Sequence, residues 1–272
     1  GEIFQSSFFT GNSYYRPLIS FSYMLEYHFF GLNPLAFNLT NLILHTTNAI
    51  GVFFLIFLIA GDKNTAFFTS LLFAIHPIQG EAVANIAGRS ILLCAFFYIW
   101  GFAILCWSLL RERRVFPFLL SIGFFSLSLL CKESAIVFPL ALWSFWFFIA
   151  RNPESRFSLK VWQMIPFAGI TLGYAIVRHL LGITNIFYWG SLRELVLGFF
   201  SFLRSLLTHA RVLVWPVDLY FDRSQSVLKT FPVTEAWLVL AAATLGVALI
   251  LKWKDRRGKE VWFFLSWFFI SL

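Results

Sequence analysis

Charge is what this sequence has least of. Only 12% of its 272 residues are Asp, Glu, Lys or Arg, against roughly 25% in a soluble domain. A mean hydropathy of +0.78 agrees, and together they exclude a surface that is mainly aqueous. Cysteine is also scarce. Cys94, Cys106 and Cys131 fall in or at the edges of apolar runs, without metal-site spacing and without support for a structural disulfide. Several signatures are missing from the sequence. It has no GxxxxGK[ST] loop and no Gly-rich dinucleotide turn following a strand, which removes the common soluble nucleotide-binding classes. The stretch HPIQGE at 76–81 does not match HExxH, so a zinc-protease reading has no support. There is no initiator Met and no signal-peptide pattern at Gly1, and the chain stops inside the apolar run WFFLSWFFISL. These ends predict a fragment whose missing upstream part holds some of the site.

Aromatic and aliphatic residues fill the space. Phe occurs 36 times and Trp 11 times, within a 59% hydrophobic whole. Long apolar runs recur along the chain, and one soluble core could not hide them all. The expected fold is therefore all-α, a polytopic membrane protein. Its net charge of +8 is no nucleic-acid signal, because the basic residues sit in short connectors. Residues 1–35 read as an extracytoplasmic loop with amphipathic helices, 36–177 as a transmembrane core, 178–235 as a second extracytoplasmic loop, and 236–272 as final, truncated spans. Within the core, spans are expected at about 36–60, 91–110, 116–131, 134–150 and 161–177. The eleven apolar residues 65–75 are too few to cross alone; they either continue through HPIQ or sit inside a bundle.

The connectors at 61–64, 111–114, 151–160 and 252–260 carry one, three, three and five basic residues, twelve of the 21 in the chain. Placing them in the cytoplasm puts the opening, the HPIQGEAV stretch, the CKES turn and 178–235 on the other side. A further span at 195–216 would throw 252–260 outside and bury Arg204, His209 and Arg211 in lipid. An interfacial or re-entrant helix is the better reading.

Polar residues cluster at the edges of these runs. Asn38, Asn41, His45 and Asn48 step by three, four and three along one helix face. They either bond neighbouring helices or, through His45 and Asn48, floor a cavity. Pro77 breaks the helical ladder in HPIQGEAVANIAGRS. Were 81–89 helical, Glu81, Asn85 and Arg89 would share a face and bracket a polar ligand, the acid taking a proton and the guanidinium gripping an anion. A capping and ion-pair cluster fits the same residues equally well. Arg16, Lys132 beside Glu133, Arg178, and Arg223 after Asp218 and Asp222 lie on the same expected side. Repeated cations at a membrane surface suit a lipid phosphate.

These stretches carry a family resemblance. YYRPL at 14–18, FGLNPLAFNLTNLILHTTNA at 30–49, LLFAIHPIQGEAVANIAGRS at 71–90, CKESAIVFP at 131–139, RHLLG at 178–182 and WPVDLYFDRS at 215–224 resemble the transmembrane and tetratricopeptide-repeat O-mannosyltransferases and their bacterial relatives, in the GT-C superfamily. The resemblance implies a GT-C-like transmembrane core. It implies inverting transfer of a sugar from a polyprenyl-phosphate donor to a Ser or Thr hydroxyl of an extracytoplasmic protein. It also implies a catalytic acid in the first extracytoplasmic loop, upstream of Gly1, with Glu81 a weaker candidate base. Arg16, His76, Glu81, Arg89, Lys132 and Glu133 occupy family-motif positions, and Asp218 and Arg223 lie in the later loop motif. Arg16, Arg89, Lys132, Arg178 and Arg223 are the expected phosphate ligands; His45, Asn48, His76, Glu133 and Asp218 are expected around the cavity or acceptor. Gln79 stands where the family often has a second His and Ile91 where it often has an acid, and the family's repeat domain is not in this chain.

No cofactor is called for, and a divalent metal stays open. The expected partners are the lipid donor, a protein acceptor and membrane lipid, with no nucleic acid. The expected place is a bacterial inner membrane with a periplasmic site, or an endoplasmic reticulum membrane with a lumenal one. A transporter or flippase of lipid-linked sugars and a non-catalytic membrane scaffold are the competing classes.

Overall fold

The computed structural model describes residues 16–110, 115–151, 155–181, 191–217 and 256–271, and among them every regular element is helical. The chain divides into two compact units near residue 184. The first holds α1 (Pro17–Phe30), α2 (Pro34–Ala60), α3 (Lys63–Ile75), α4 (Gly80–Ala84), α5 (Arg89–Leu110), α6 (Val115–Cys131), α7 (Phe138–Phe145) and α8 (Ile165–Leu180). The second holds α9 (Leu192–Val214) and α10 (Arg256–Ser271).

Three helical stretches are long and apolar enough to cross a membrane: Pro34–Ala60, Ile86–Leu110 and Glu133–Ala150. The last joins a 3-10 turn, α7 and a closing π-helical turn, 18 residues in all. The chain is thus an all-α membrane protein, as its composition predicts. Helix α6 is apolar but shorter, at 17 residues. The stretch expected to span at 161–177 is a 3-10 turn, Val161–Met164, followed by the 16 residues of α8. Helix α3 does not continue through HPIQ; it stops at Ile75, where Pro77 opens a separate 3-10 turn.

Local chemistry sets most helix starts. Pro17 and Pro34 stand at N-termini, where a missing N–H costs nothing. Asn33 accepts from Leu35 N at 3.0 Å, and Asp62 accepts from Thr65 N at 2.8 Å. Helix α2 packs on both α3 and α5, and α5 packs on α6. Gly51 permits the α2–α5 approach, since a Cβ there would stand 3.0 Å from Ile99 Cγ2 and Trp100 Nε1. Phe138 gathers Phe102, Phe125 and Phe167 at centroid distances of 5.4, 4.7 and 5.4 Å. All four rings are fully buried, and they tie α5, α6, α7 and α8 together by tilted and stacked contacts.

The two ends of this bundle differ. At one end the segment 155–160 holds the C-termini of α2 and α5: Arg156 donates to the carbonyls of Leu58 and Ile59, and Ser158 N donates to Leu109 O at 3.3 Å. At the other end lie α1, the 76–89 stretch, the 131–133 turn and the end of α8, joined by contacts described below. Residues 61–64 and 155–160, both in connectors grouped by charge, therefore share one end, and the polar stretches share the opposite one.

In the second unit α9 runs unbroken for 23 residues. Ser191 and Glu194 form a reciprocal capping box at its start. It carries Arg204, Thr208, His209 and Arg211 along with exposed Leu195, Phe199 and Phe202. Residues 256–260, expected in a connector, form the first turn of α10.

Candidate functional site

Two polar clusters stand at the loop-rich end of the first unit. The first is built on Arg89, the opening residue of α5, which is 1% exposed. Its Nε donates to Asn41 Oδ1 at 2.7 Å and its Nη2 to Phe37 O at 2.9 Å. Its Nη1 pairs with Glu26 Oε2 at 2.8 Å. The rings of Tyr23 and Phe37 lie 5.0 and 5.9 Å from the guanidinium, a further favourable cation–ring contact. Glu26 also accepts from the Thr40 hydroxyl. Asn41 Nδ2 turns the other way, donating to Asn85 O at 3.0 Å and Val83 O at 3.4 Å. Tyr23 OH donates to Ile86 O at 2.6 Å.

The backbone between Glu81 and Arg89 explains this arrangement. Residues 81–89 are not one helix. Helix α4 ends at Asn85, whose backbone is extended and whose side chain caps the next 3-10 turn by accepting from Ala87 N at 3.0 Å. Gly88 then passes so close to α4 that a Cβ would lie 2.1 Å from Ala82 O, so only glycine fits. The turn separates Glu81 from Arg89. Glu81 is left exposed in the first turn of α4, and Arg89 points to α1 and α2.

The second cluster draws on three distant parts of the sequence. Arg16, at the start of α1, makes a two-point contact with Glu133: Nε to Oε2 at 3.2 Å and Nη2 to Oε1 at 2.7 Å. Arg178, in the last turn of α8, brings Nη1 to 3.9 Å from the same Oε2 and donates to Tyr174 OH at 3.3 Å. Its Nε is buried with no partner among the described residues. Lys132 precedes Glu133 in extended backbone, and its ammonium makes no hydrogen bond or ion pair among the described residues. Burial holds the Lys132 pKa below that of ordinary lysine, and the neighbouring Arg16 charge lowers it further.

Two arginines thus share one carboxylate, with the Lys132 ammonium beside them. Exposure is graded: the side chains of Arg178, Arg16 and Glu133 are 7, 15 and 32% exposed. The cluster opens to its surroundings at Glu133 and closes at Arg178. An unsatisfied guanidinium donor and an unpaired ammonium in so shielded a place are what an anion-binding site requires.

The remaining sequence candidates are dispersed. His45 is buried on α2, with Nε2 3.0 Å from Ala74 O and its ring stacked on Phe73. Asn48 donates to Leu92 O at 2.9 Å. These two hold α3 and α5 to α2. His76 caps its own 3-10 turn, Nδ1 accepting from Ile78 N at 3.2 Å. Asp218 and Arg223 lie outside the described residues. Sequence reasoning missed Glu26, Tyr23 and Tyr174; only the odd acid in an aromatic helix, Glu26, offered a signal.

Among the described residues no group of His, Cys, Asp or Glu is placed to hold a metal ion.

No protein-family model matches the chain, and no solved structure matches it. Curated relatives do. The chain is 32% identical over 124 residues to the human protein O-mannosyl-transferase TMTC3, covering 45% of this chain and 13% of the relative. It is 30% identical over 149 residues to human TMTC4, a match of 47% of this chain and 20% of that protein. A Caenorhabditis elegans protein O-mannosyl-transferase, F38B6.6, is 28% identical over 236 residues, 82% of this chain and 32% of the relative. The chain therefore spans a third or less of the length of these relatives, and the resemblance read from its motifs is the one they bear out.

Proposed function

Because its curated relatives are protein O-mannosyl-transferases, we propose that this chain is part of the membrane core of such an enzyme. It would move a sugar, mannose by kinship, from a polyprenyl-phosphate donor to a Ser or Thr hydroxyl of an extracytoplasmic protein. The observation that carries this reading is the cluster of Arg16, Lys132 and Arg178 around a single carboxylate, at the bundle end opposite the basic connectors.

A base removes the acceptor hydroxyl proton as its oxygen attacks C1 of the sugar. The bond from C1 to the phosphate oxygen breaks, and the electron pair leaves with the lipid phosphate, inverting the anomeric carbon. The resemblance puts the principal base upstream of Gly1; Glu81, exposed near the same end, is the second candidate. Arg16, Lys132 and Arg178 meet the charge that develops on the leaving phosphate. Arg89 serves this reading indirectly. It fixes α1 to α2 and α5 through Glu26 and Asn41, and α1 delivers Arg16.

The test is transfer by the natural full-length protein in lipid nanodiscs, using labelled polyprenyl-phosphate mannose and extracytoplasmic acceptor proteins. Label should enter protein, and Arg178→Gln should cut the rate by about a hundredfold, in the range of a lost oxyanion-type contact. Donor that is moved across a vesicle membrane without entering protein would instead identify a transporter.

A further inference from the structure

Glu133 stands in an unexpected place for a site that grips phosphate. Its two carboxylate oxygens occupy the fork of Arg16 and approach Arg178, the planar two-oxygen geometry a phosphate would itself present. It is also the most exposed member of the cluster, at 32%. With Lys132 the group carries three positive charges and one negative, an excess of two.

We infer that Glu133 is a specificity-determining residue that sets how tightly the site holds lipid phosphate, by standing as a built-in competitor to it. The inference rests on the donor-phosphate reading above. A lipid-phosphate sugar is a phosphodiester with one negative charge. The lipid phosphate left after transfer is a monoester, with a charge near −1.5 to −2 at neutral pH. An excess of two positive charges matches the monoester better than the diester. The charge released at the phosphate is therefore met by stronger attraction than the donor receives, which favours bond breaking. The same match slows release of the spent lipid, and Glu133 offsets this by reclaiming Arg16 as the phosphate departs. Without Glu133 the excess would be three, and the product would stay.

Two measurements on the full-length protein in nanodiscs test this. The first needs no variant: competition binding of polyprenyl phosphate, polyprenyl-phosphate mannose, phosphatidic acid and phosphatidylglycerol. Polyprenyl phosphate should bind several-fold more tightly than polyprenyl-phosphate mannose. Equal affinities would overturn the inference. Equal competition by phosphatidic acid would overturn it as well, assigning the cations to bilayer headgroups. The second measurement compares Glu133→Gln with wild type in single and multiple turnovers. The variant should bind polyprenyl phosphate roughly tenfold more tightly, a modest share of one unit charge at this range in a partly exposed site. Its ratio of first-turnover to steady-state rate should rise and product inhibition should deepen. Weaker binding in Glu133→Gln, matching Arg16→Ala, would make Glu133 a mere prop for Arg16 and end the inference. The two readings fail separately. Transfer without monoester preference ends this one alone, whereas monoester preference without transfer to protein ends only the glycosyltransferase reading.

Discussion

The two arginine clusters share one end of the bundle and reach opposite electrostatic solutions. Around Arg89 every charge is answered: Glu26 neutralises it, Asn41 and the Phe37 carbonyl take further donors, and almost no solvent reaches it. Around Glu133 the cations outnumber the anion, one Arg178 donor has no partner among the described residues, and exposure rises toward the carboxylate. The first arrangement spends its charges on holding helices together, because a buried ion left unpaired costs several kcal/mol. The second leaves an imbalance, the kind of charge arrangement found more often at functional sites. Equal numbers of arginines would not have told the two apart. Satisfaction of their donors does.

The contrast can be broken most sharply at Arg89. Arg89→Met leaves Glu26 buried and uncompensated, and should destabilise the fold by about 3–5 kcal/mol, read as a lowered unfolding midpoint in detergent. Pairing it with Glu26→Gln should recover most of that loss. Arg178→Gln should lower the midpoint far less while weakening anion binding, since Glu133 keeps its two-point contact with Arg16 and only the longer Arg178 contacts are lost. A large destabilisation from Arg178→Gln would erase the distinction.

A subtler comparison uses pH. Below its lowered pKa, Lys132 is an ammonium and the excess of two holds; as pH rises through that value the proton leaves and one cation is lost. Binding of polyprenyl phosphate should therefore decline at a pH below the ordinary lysine value of about 10.4, and bound anion should push the decline upward. Between the two pKa values the unfolded chain holds more protons, so intrinsic stability rises with pH there. Lys132→Arg should keep binding constant across this range. A profile identical in wild type and variant would remove Lys132 from the site. The smallest effect is expected at Thr40→Val, which deletes one hydroxyl from Glu26 at a cost of about 0.6 kcal/mol, typical for an interhelical hydrogen bond in a membrane protein.

Much of the fold was legible because membrane helices announce themselves through length and apolarity. The spans α2 and α5 and the π-ended stretch through α7 lie within a few residues of expectation. Of the connectors grouped by charge, residues 61–64 and 155–160 lie at one end, while 111–114 and 252–255 fall outside the described residues. The site was legible as residue types but not as partnerships. Glu81, Asn85 and Arg89 looked like one helix face because their spacing is four; a steric fact at Gly88 and a side-chain cap from Asn85 end that helix. Glu133 and Arg16 are 117 positions apart, and no local pattern joins them. Arg89 and Arg178 look alike in the sequence, and only the folded chain shows that Glu26 pairs closely with the first while the second stands 3.9 Å from Glu133.

The clasp formed by 155–160 has a mechanical consequence. Arg156 ties to the last carbonyls of α2 while Ser158 ties to the penultimate residue of α5. Two neighbouring helices pinned at one end cannot slide past each other along their axes. Arg89 on Asn41 and the Phe37 carbonyl, with Asn48 on the Leu92 carbonyl, fastens the same two helices again toward the opposite end, so α2 and α5 form a pair braced at both ends.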